Sequence, residues 1–421
     1  MLTQPRGTKT LLGERLEKKR WLQEELTKWA EKFNFQEIET PTFEHSELFV
    51  GEKPDSESIL EKELFYLEGK KYALKPEETA AISRVVFTDK LLQRSSSPLK
   101  FFYFSQCFRY ERPQKGRFRE FTQFGVELIR CNSIFHEIEL ILSLDELLRK
   151  TFNLNLELRI NYLSNSDTKR KWSRQLTTYF ESSPQQLSKL SQERIFKNPI
   201  RILDDKRDSQ TELVKSSPKI RHLLTNIETL NLAEIKRYLT KLNVQYVWDE
   251  SLVRGLDYYT GLVFEWNYNG LTIAGGGRYD EMFQRFAKDA DHISSIGMAL
   301  GLERLQEVLD ETSFNWPLRK KIKVYLCYLL DNIELEILLF IKRMRLLGII
   351  VETNWDIREL KTHFRLSEKL NIQWLLIYGE QEKTKGEIIL KQQLKNYKIH
   401  FSLADGNSLV NEIRRVAFQE A

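Results

Sequence analysis

The 421-residue chain has no glycine between Gly125 and Gly255 and no proline between Pro113 and Pro184. So long a stretch without backbone punctuators favours long, uninterrupted helices after an initial strand region. Asn231-Leu-Ala-Glu234 reads as a capping box, and Leu232, Ile235, Leu239 and Leu242 follow at helical spacing. A helical insert is therefore expected over 166–247. Upstream, Leu22, Leu26, Trp29 and Phe33 form a helical stripe, and FQEIETPTF continues as an extended segment broken by Pro41. Two aromatic-rich segments, KFFYFSQCFRYE and FREFTQFGVELI, flank the polar turn RPQKGR, which predicts an antiparallel hairpin with a basic tip. After the insert, GLVFEWNY and LTIA predict paired strands, then a glycine triplet and a helix. From about 319, strands (IKVYLCYLL, IIVET, IQWLLIYG) alternate with helices, and a hairpin and a last helix close the chain. That alternation predicts a small, separate α/β domain over 319–421.

The positive charge is local. Residues 168–247 hold 16 Lys and Arg against 8 Asp and Glu, whereas the other residues carry 49 against 52. A local basic surface, with Lys169, Arg170, Lys171 and Arg174 at its start, is the footprint of a polyanion partner, and a solvated helix face is the alternative. The longest stretch free of charged side chains is Trp266–Gly277, too short for the ~20 apolar residues of a membrane span. The start, MLTQPRGTKT, lacks the apolar segment of a secretory signal. Cys107, Cys131 and Cys327 are odd in number and lie far apart, and the six histidines show no metal-ligand spacing. A soluble protein of a reducing cytoplasm, with no protein-built metal site, is expected.

Four motifs carry candidate chemistry. Phe108-Arg109-Tyr110-Glu111-Arg112-Pro113 sets a fixed positive charge at a strand end, which suits a carboxylate or phosphate. On the return strand Gln123 and Glu127 alternate with apolar neighbours, so they need partners. Leu252-Val-Arg-Gly-Leu-Asp-Tyr-Tyr-Thr-Gly261 places Arg254 and Asp257 around a glycine. Gly275-Gly-Gly-Arg-Tyr-Asp280 offers backbone that a ligand can approach closely. Gly297-x-x-x-Gly301-Leu-Glu-Arg-Leu305 puts Arg304 at a strand-to-helix junction. No Walker A sequence is present, so a nucleotide would have to be held by arginines.

In this order the motifs resemble the histidyl-tRNA synthetase family, of class II aminoacyl-tRNA synthetases, over nearly the whole chain. Pro5-Arg-Gly-Thr8 resembles the family's opening, FQEIETPTFEHSELF motif 1, FRYERPQKGRFREFTQFGVELI motif 2 and GLERL motif 3. LVRGLDYYTG and AGGGRYD resemble the two stretches peculiar to the histidine enzymes. The resemblance implies an α+β fold with an antiparallel sheet core over 1–165 and 248–318, flanked by helices. It places the insertion (166–247) near the tRNA acceptor arm and makes 319–421 the α/β anticodon-binding domain. It implies a histidine–tRNA ligase that uses ATP, L-histidine and tRNA(His), with Mg²⁺ on the ATP phosphates, and a homodimer with Pro41 at its interface.

By the same resemblance Arg254, Arg109 and Arg304 are the catalytic cations. Arg109, Glu111, Arg117, Phe121, Gly301 and Arg304 would hold ATP. Glu77, Glu78, Thr79 and Gln123 would surround the histidine ammonium group, and Glu127 and Tyr259 its imidazole. Arg109, Arg254, Tyr258 and Tyr279 would complete that pocket. Gln114, Lys115 and Arg119 at the hairpin tip, and Asn354, Arg358 and Lys361 beyond, would face tRNA. The family's Leu-Arg-Pro-Glu-Gly-Thr stands here as Leu74-Lys-Pro-Glu-Glu-Thr79, which adds a charge and a Cβ beside the ammonium position. Glu120 and Thr122 stand where glutamine and histidine are usual. The competing relative is the synthetase-like regulatory subunit of ATP phosphoribosyltransferase, which typically lacks the last domain and has eroded ATP motifs. Here Arg109, Glu111, Arg254 and Arg304 all persist.

Overall fold

The computed structural model describes residues 2–50, 63–205, 207–255, 258–286, 292–318, 321–393 and 397–418. The chain forms two compact units, Met1–Trp316 and Pro317–Ala421, and residues 166–247 belong to the first. The strands of the first unit are β1 (Gln36–Glu37), β2 (Phe43–His45), β3 (Phe65–Tyr66), β4 (Tyr72–Leu74), β5 (Leu99–Phe108), β6 (Glu120–Ile129), β7 (Glu157–Tyr162), β8 (Val247–Trp248), β9 (Thr260–Tyr268), β10 (Leu271–Arg278) and β11 (Ser295–Gly301). Eight of them form one sheet in the order β1-β5-β6-β11-β10-β9-β7-β8, while β2, β4 and β3 pair separately. The inner strands of the large sheet are antiparallel, and only the edge pairs β1·β5 and β7·β8 are parallel.

The expected hairpin is β5 and β6, paired from Leu99↔Ile129 to Phe108↔Glu120. At its tip Gln114 and Arg117 exchange backbone hydrogen bonds of 3.2 and 2.9 Å, and Gly116 takes the left-handed turn at φ 68°. Along β6, Phe124, Val126 and Leu128 enter a core shared with the helices Glu14–Lys32, Phe135–Glu146 and Leu302–Glu311. Phe121, Gln123 and Glu127 therefore project from the opposite face, because side chains alternate along a strand.

Three expectations need correction. The glycine triplet does not follow a strand: β10 runs through it to Arg278, paired on both sides with β9 and β11. Glycines suit that position because a Cβ on Gly276 would lie 2.1 Å from the Gly297 carbonyl oxygen. After β10 the chain enters a 3₁₀ turn, Met282–Arg285, in place of the expected helix. The third concerns the insert, where the helix Asn226–Lys241 starts before Asn231; its capping box is Thr225 with Glu228, a Thr-x-x-Glu pattern, which leaves Asn231 in mid-helix. Leu232, Ile235 and Leu239 are buried as the spacing requires, but Leu242 caps the end and is 42% exposed. Elsewhere in the insert, the helix Ser166–Glu181 is capped by Asn165 and buries Trp172, Leu176 and Phe180 in a cluster with Val253, Tyr258, Tyr259 and Tyr279.

The second unit carries β12 (Lys323–Tyr328), β13 (Ile350–Thr353), β14 (Trp374–Tyr378), β15 (Glu387–Gln392) and β16 (Tyr397–Ser402). Their order is β13-β12-β14-β15-β16, parallel across the first three and antiparallel across the last pairs. Helices Leu335–Leu346 and Gly406–Phe418 cover the sheet with Ile337, Phe340, Leu409 and Ile413. A short helix, Glu380–Lys385, is new; its residues are all polar, so hydrophobic spacing gave no sign of it.

Candidate active site

A cavity of about 380 Å³ opens over the odd-numbered side chains of β6. At one corner, buried carboxylates meet buried tyrosines. Glu127 is 1% exposed; its Oε1 accepts from the Thr79 hydroxyl at 2.7 Å and the Tyr103 hydroxyl at 3.3 Å. Its Oε2 and the buried Tyr279 hydroxyl interact with each other but form no well-aligned hydrogen bond. A buried polar atom without a well-aligned hydrogen bond is costly, so the corner is built to receive a polar group. Burial pushes the Glu127 carboxyl up to about 8. Room for it exists only because residue 297 is glycine, where a Cβ would stand 1.9 Å from Glu127 Oε2. Glu77 takes the backbone N–H groups of Thr79 and Ala80 at 2.8 and 3.0 Å, capping the helix Thr79–Thr88, and Tyr258 donates to it at 3.3 Å. Burial raises its carboxyl too. Tyr259 and Gln123 complete this wall.

Arginines occupy the rest. Arg109, Arg117, Arg254 and Arg304 all line the cavity, with Glu111, Phe121 and Gly301. Arg109 donates to the Pro76 carbonyl at 3.0 Å and lies over the Phe121 ring at 5.3 Å. Arg304 sits in the first turn of the helix Leu302–Glu311, donating to the carbonyls of Gly116 and Thr272. Burial, then the charges of Arg109 and Arg117, pull its proton affinity down to about 10. Arg254 pairs with Glu265 at 2.9 Å, and its buried Nε has no partner. Gly275 lets it lie flat on β10, since a Cβ there would meet its guanidinium at 2.6 Å. Glu111 meets Arg117 at 3.3 Å. Several fixed cations converging on one partly dry cavity favour an anion with many oxygens.

Residues 7–305 match the family model for histidyl-tRNA synthetase. The chain belongs to the histidyl-tRNA synthetase family. The histidine–tRNA ligase of Ureaplasma parvum is 39% identical over 409 residues, covering 94% of this chain and 96% of that protein. That of Malacoplasma penetrans is 38% identical, with 98% of each covered. The apo histidyl-tRNA synthetase of S. aureus superposes with a TM-score of 0.76 at 27% identity, over 96% of this chain and 98% of that one. The chain is thus an aminoacyl-tRNA synthetase with the α+β fold of this family.

Within that family fold, the expected site residues fall into three groups. Those assigned to ATP, with Glu77, Thr79, Gln123, Arg254, Tyr258 and Tyr259, line one cavity, and Glu127 and Tyr279 stand buried behind it. Glu78 does not line it. Its carboxylate is taken by Lys75 at 2.8 Å, by Thr40 at 2.6 Å and by Ser105 at 2.5 Å, all buried. The lysine and glutamate that replace the synthetase motif's arginine and glycine therefore neutralise each other beneath the pocket. At the hairpin tip Lys115 pairs with Glu311 at 2.5 Å, and Arg119 lies over Tyr110 at 4.2 Å. Thr122 bonds through its N–H to Glu303 at 2.9 Å. In the second unit Asn354 caps a turn by accepting from the Asp356 N–H at 2.9 Å, Arg358 donates to the Ile357 carbonyl at 3.0 Å, and Lys361 lies in the helix Leu360–Lys369. Asp257 lies outside the described residues.

Sequence reasoning missed Glu265, Thr272, Arg201 and Asp204, which also line the cavity. Glu265 was legible as the lone charge inside GLVFEWNY. Nothing in the local sequence marks Arg201 or Asp204, which lie within the expected insert.

Proposed function

We propose that this cavity joins L-histidine to ATP and then passes the aminoacyl group to tRNA(His). One observation carries the reading: four arginines converge on one cavity that is backed by the buried Glu127 carboxyl. An imidazole offers one N–H and one acceptor nitrogen. Glu127 accepts the first and the Tyr259 hydroxyl donates to the second. Glu77 and Gln123 receive the ammonium group. Arg109 and Arg304 hold the α- and γ-phosphates, Arg117 a further phosphate oxygen, Glu111 the adenine amino group, and Phe121 with Arg304 the ring. A histidine carboxylate oxygen attacks the α-phosphorus in line, and pyrophosphate leaves with the electron pair of the broken P–O bond. Arg254 neutralises the charge that gathers there, so catalysis is positioning plus electrostatics. The terminal ribose hydroxyl of tRNA then attacks the carbonyl carbon, and AMP leaves.

Among the described residues no group of three His, Cys, Asp or Glu side chains could hold a metal. Mg²⁺ would be brought by ATP, with water supplying part of its oxygen shell. Glu265 Oε1, bonded to the neutral Asn267 amide at 2.8 Å, keeps a lone pair that would complete the shell. A homodimer through motif 1 is supported by Phe43, 51% exposed on the edge strand β2 beside Pro41. No described helix is long and apolar enough to cross a membrane, which accords with a cytoplasmic enzyme.

Purified protein, ATP and labelled histidine should charge tRNA(His); no histidyl-tRNA above background would overturn the reading. Glu127→Gln should weaken histidine binding by ~1–3 kcal/mol while changing ATP affinity little. The wild-type carboxyl titrates near 8, so it is mostly protonated at pH 7 and must ionise to accept the imidazole N–H. Histidine affinity should therefore rise with pH up to about 8. Calorimetry in buffers of different ionisation enthalpy should find close to one proton released at pH 7, and none in the variant. Equal losses for both ligands would place Glu127 outside the amino-acid pocket.

The basic start of the insert divides into two pairs. Lys169 donates to the Tyr259 carbonyl at 2.6 Å, and Arg170 pairs with Asp167, whereas Lys171 and Arg174 are exposed. Neutralising Lys171 and Arg174 together should weaken tRNA binding and flatten its salt dependence, because fewer counterions are released. An unchanged salt slope would make this face a solvated one.

A further inference from the structure

Two side chains of the insert, Arg201 and Asp204, reach the same cavity as the core arginines. They belong to a short turn, Pro199–Ile202, and the residues just after it. Ile202 and Leu203 pack in the apolar cluster that contains Trp172, Val253, Tyr258 and Tyr259, so the turn is fixed to the wall of the pocket. Arg201 Nη1 donates to Asp204 Oδ2 at 3.0 Å. The Arg201 side chain is only 8% exposed, whereas that of Asp204 is 35% exposed. Behind the turn Arg194 pairs with Asp205 at 3.0 Å. A buried guanidinium is thus held at the cavity by one neighbouring carboxylate, with its remaining N–H groups available for a planar, two-point contact.

The core cations already have roles in the first half-reaction: Arg109, Arg117, Arg254 and Arg304 are assigned above to the triphosphate and the carboxylate. The second half-reaction brings another anion to the same pocket, the phosphodiester of the terminal nucleotide of tRNA. We propose that Arg201 binds that phosphodiester, exchanging its contact with Asp204 for a charge-assisted one to the phosphate oxygens. This rests on the ligase reading above and adds to it the residue through which the insert enters the chemistry. The pair keeps the guanidinium aimed before RNA arrives. Phosphate at this cavity could also come from ATP, and the two sources separate by half-reaction.

The test uses the full chain as wild type, Arg201→Ala and Arg201→Lys, each checked by thermal melting. Two rates are measured: histidine-dependent ATP–pyrophosphate exchange, and single-turnover transfer from preformed histidyl-adenylate to tRNA(His). Arg201→Ala should slow transfer by about tenfold or more but exchange by less than about threefold. Arg201→Lys should recover part of the transfer rate, because it keeps the charge but not the fork. The log–log salt slope of tRNA binding should fall by about 0.7 for the one phosphate lost. Parallel losses in both rates would make Arg201 an ATP ligand or a wall residue and overturn the proposal. So would an unchanged transfer rate. A wild-type chain without histidine-dependent exchange would instead sink the ligase reading itself.

Discussion

Arg254→Ala should fold normally and lose most of its adenylate formation. The side chain lies between the Glu265 carboxylate at 2.9 Å and the bare Cα of Gly275, so its direction is fixed on two sides. Its Nε is buried without a partner, leaving a donor for substrate. A preorganised cation aimed at developing charge in a partly dry site contributes ~3–4 kcal/mol, like an oxyanion-hole donor. The exchange rate should therefore drop roughly 10²- to 10³-fold. Melting should shift little, since the residue pairs at the cavity rather than in the core. Exchange within about threefold of wild type would remove Arg254 from the mechanism.

The second large effect contrasts two glycines on neighbouring strands. At Gly276 a new Cβ would lie 2.1 Å from the Gly297 carbonyl oxygen and 2.7 Å from the Met298 Cα. Both are backbone atoms, so β10 and β11 would have to part. Gly276→Ala should cost at least the ~1–3 kcal/mol typical of overpacking, read as a lower melting temperature. At Gly297 the nearest atom is Glu127 Oε2 at 1.9 Å, the far end of a side chain that can swing away. Gly297→Ala should therefore melt nearer to wild type yet bind histidine at least as poorly as Glu127→Gln. The double variant should be no worse than Gly297→Ala, because both changes remove one contact. Additive losses, or a larger drop in melting temperature for Gly297→Ala, would contradict this division.

Much of this was legible in the sequence for physical reasons. The hairpin β5–β6 announced itself through alternation, and the same alternation put Gln123 and Glu127 on one face with apolar neighbours on the other. The start of the second unit was legible because β12 and β13 are each a short apolar run followed by a helix. Long-range fits were not. The glycine triplet was placed after the strand because single-chain patterns do not show that Arg254 and the β11 backbone crowd it from above and beside. Glu78 looked like a pocket residue beside Glu77, but Thr40 and Ser105, far apart in sequence, turn its carboxylate away. Arg201 and Asp204 carry no local signature; only the packing of Ile202 and Leu203 against the tyrosines brings them to the site.

The central claim is that one cavity reads histidine through Glu127 and activates it with arginines. Amino-acid-dependent ATP–pyrophosphate exchange tests this most directly, run on the purified chain with each standard amino acid in turn. The account predicts exchange with histidine and at least ~10⁴-fold less with apolar amino acids of similar size, which would leave Glu127 unpaired. Exchange with another amino acid at a comparable rate, or none with histidine, would contradict it.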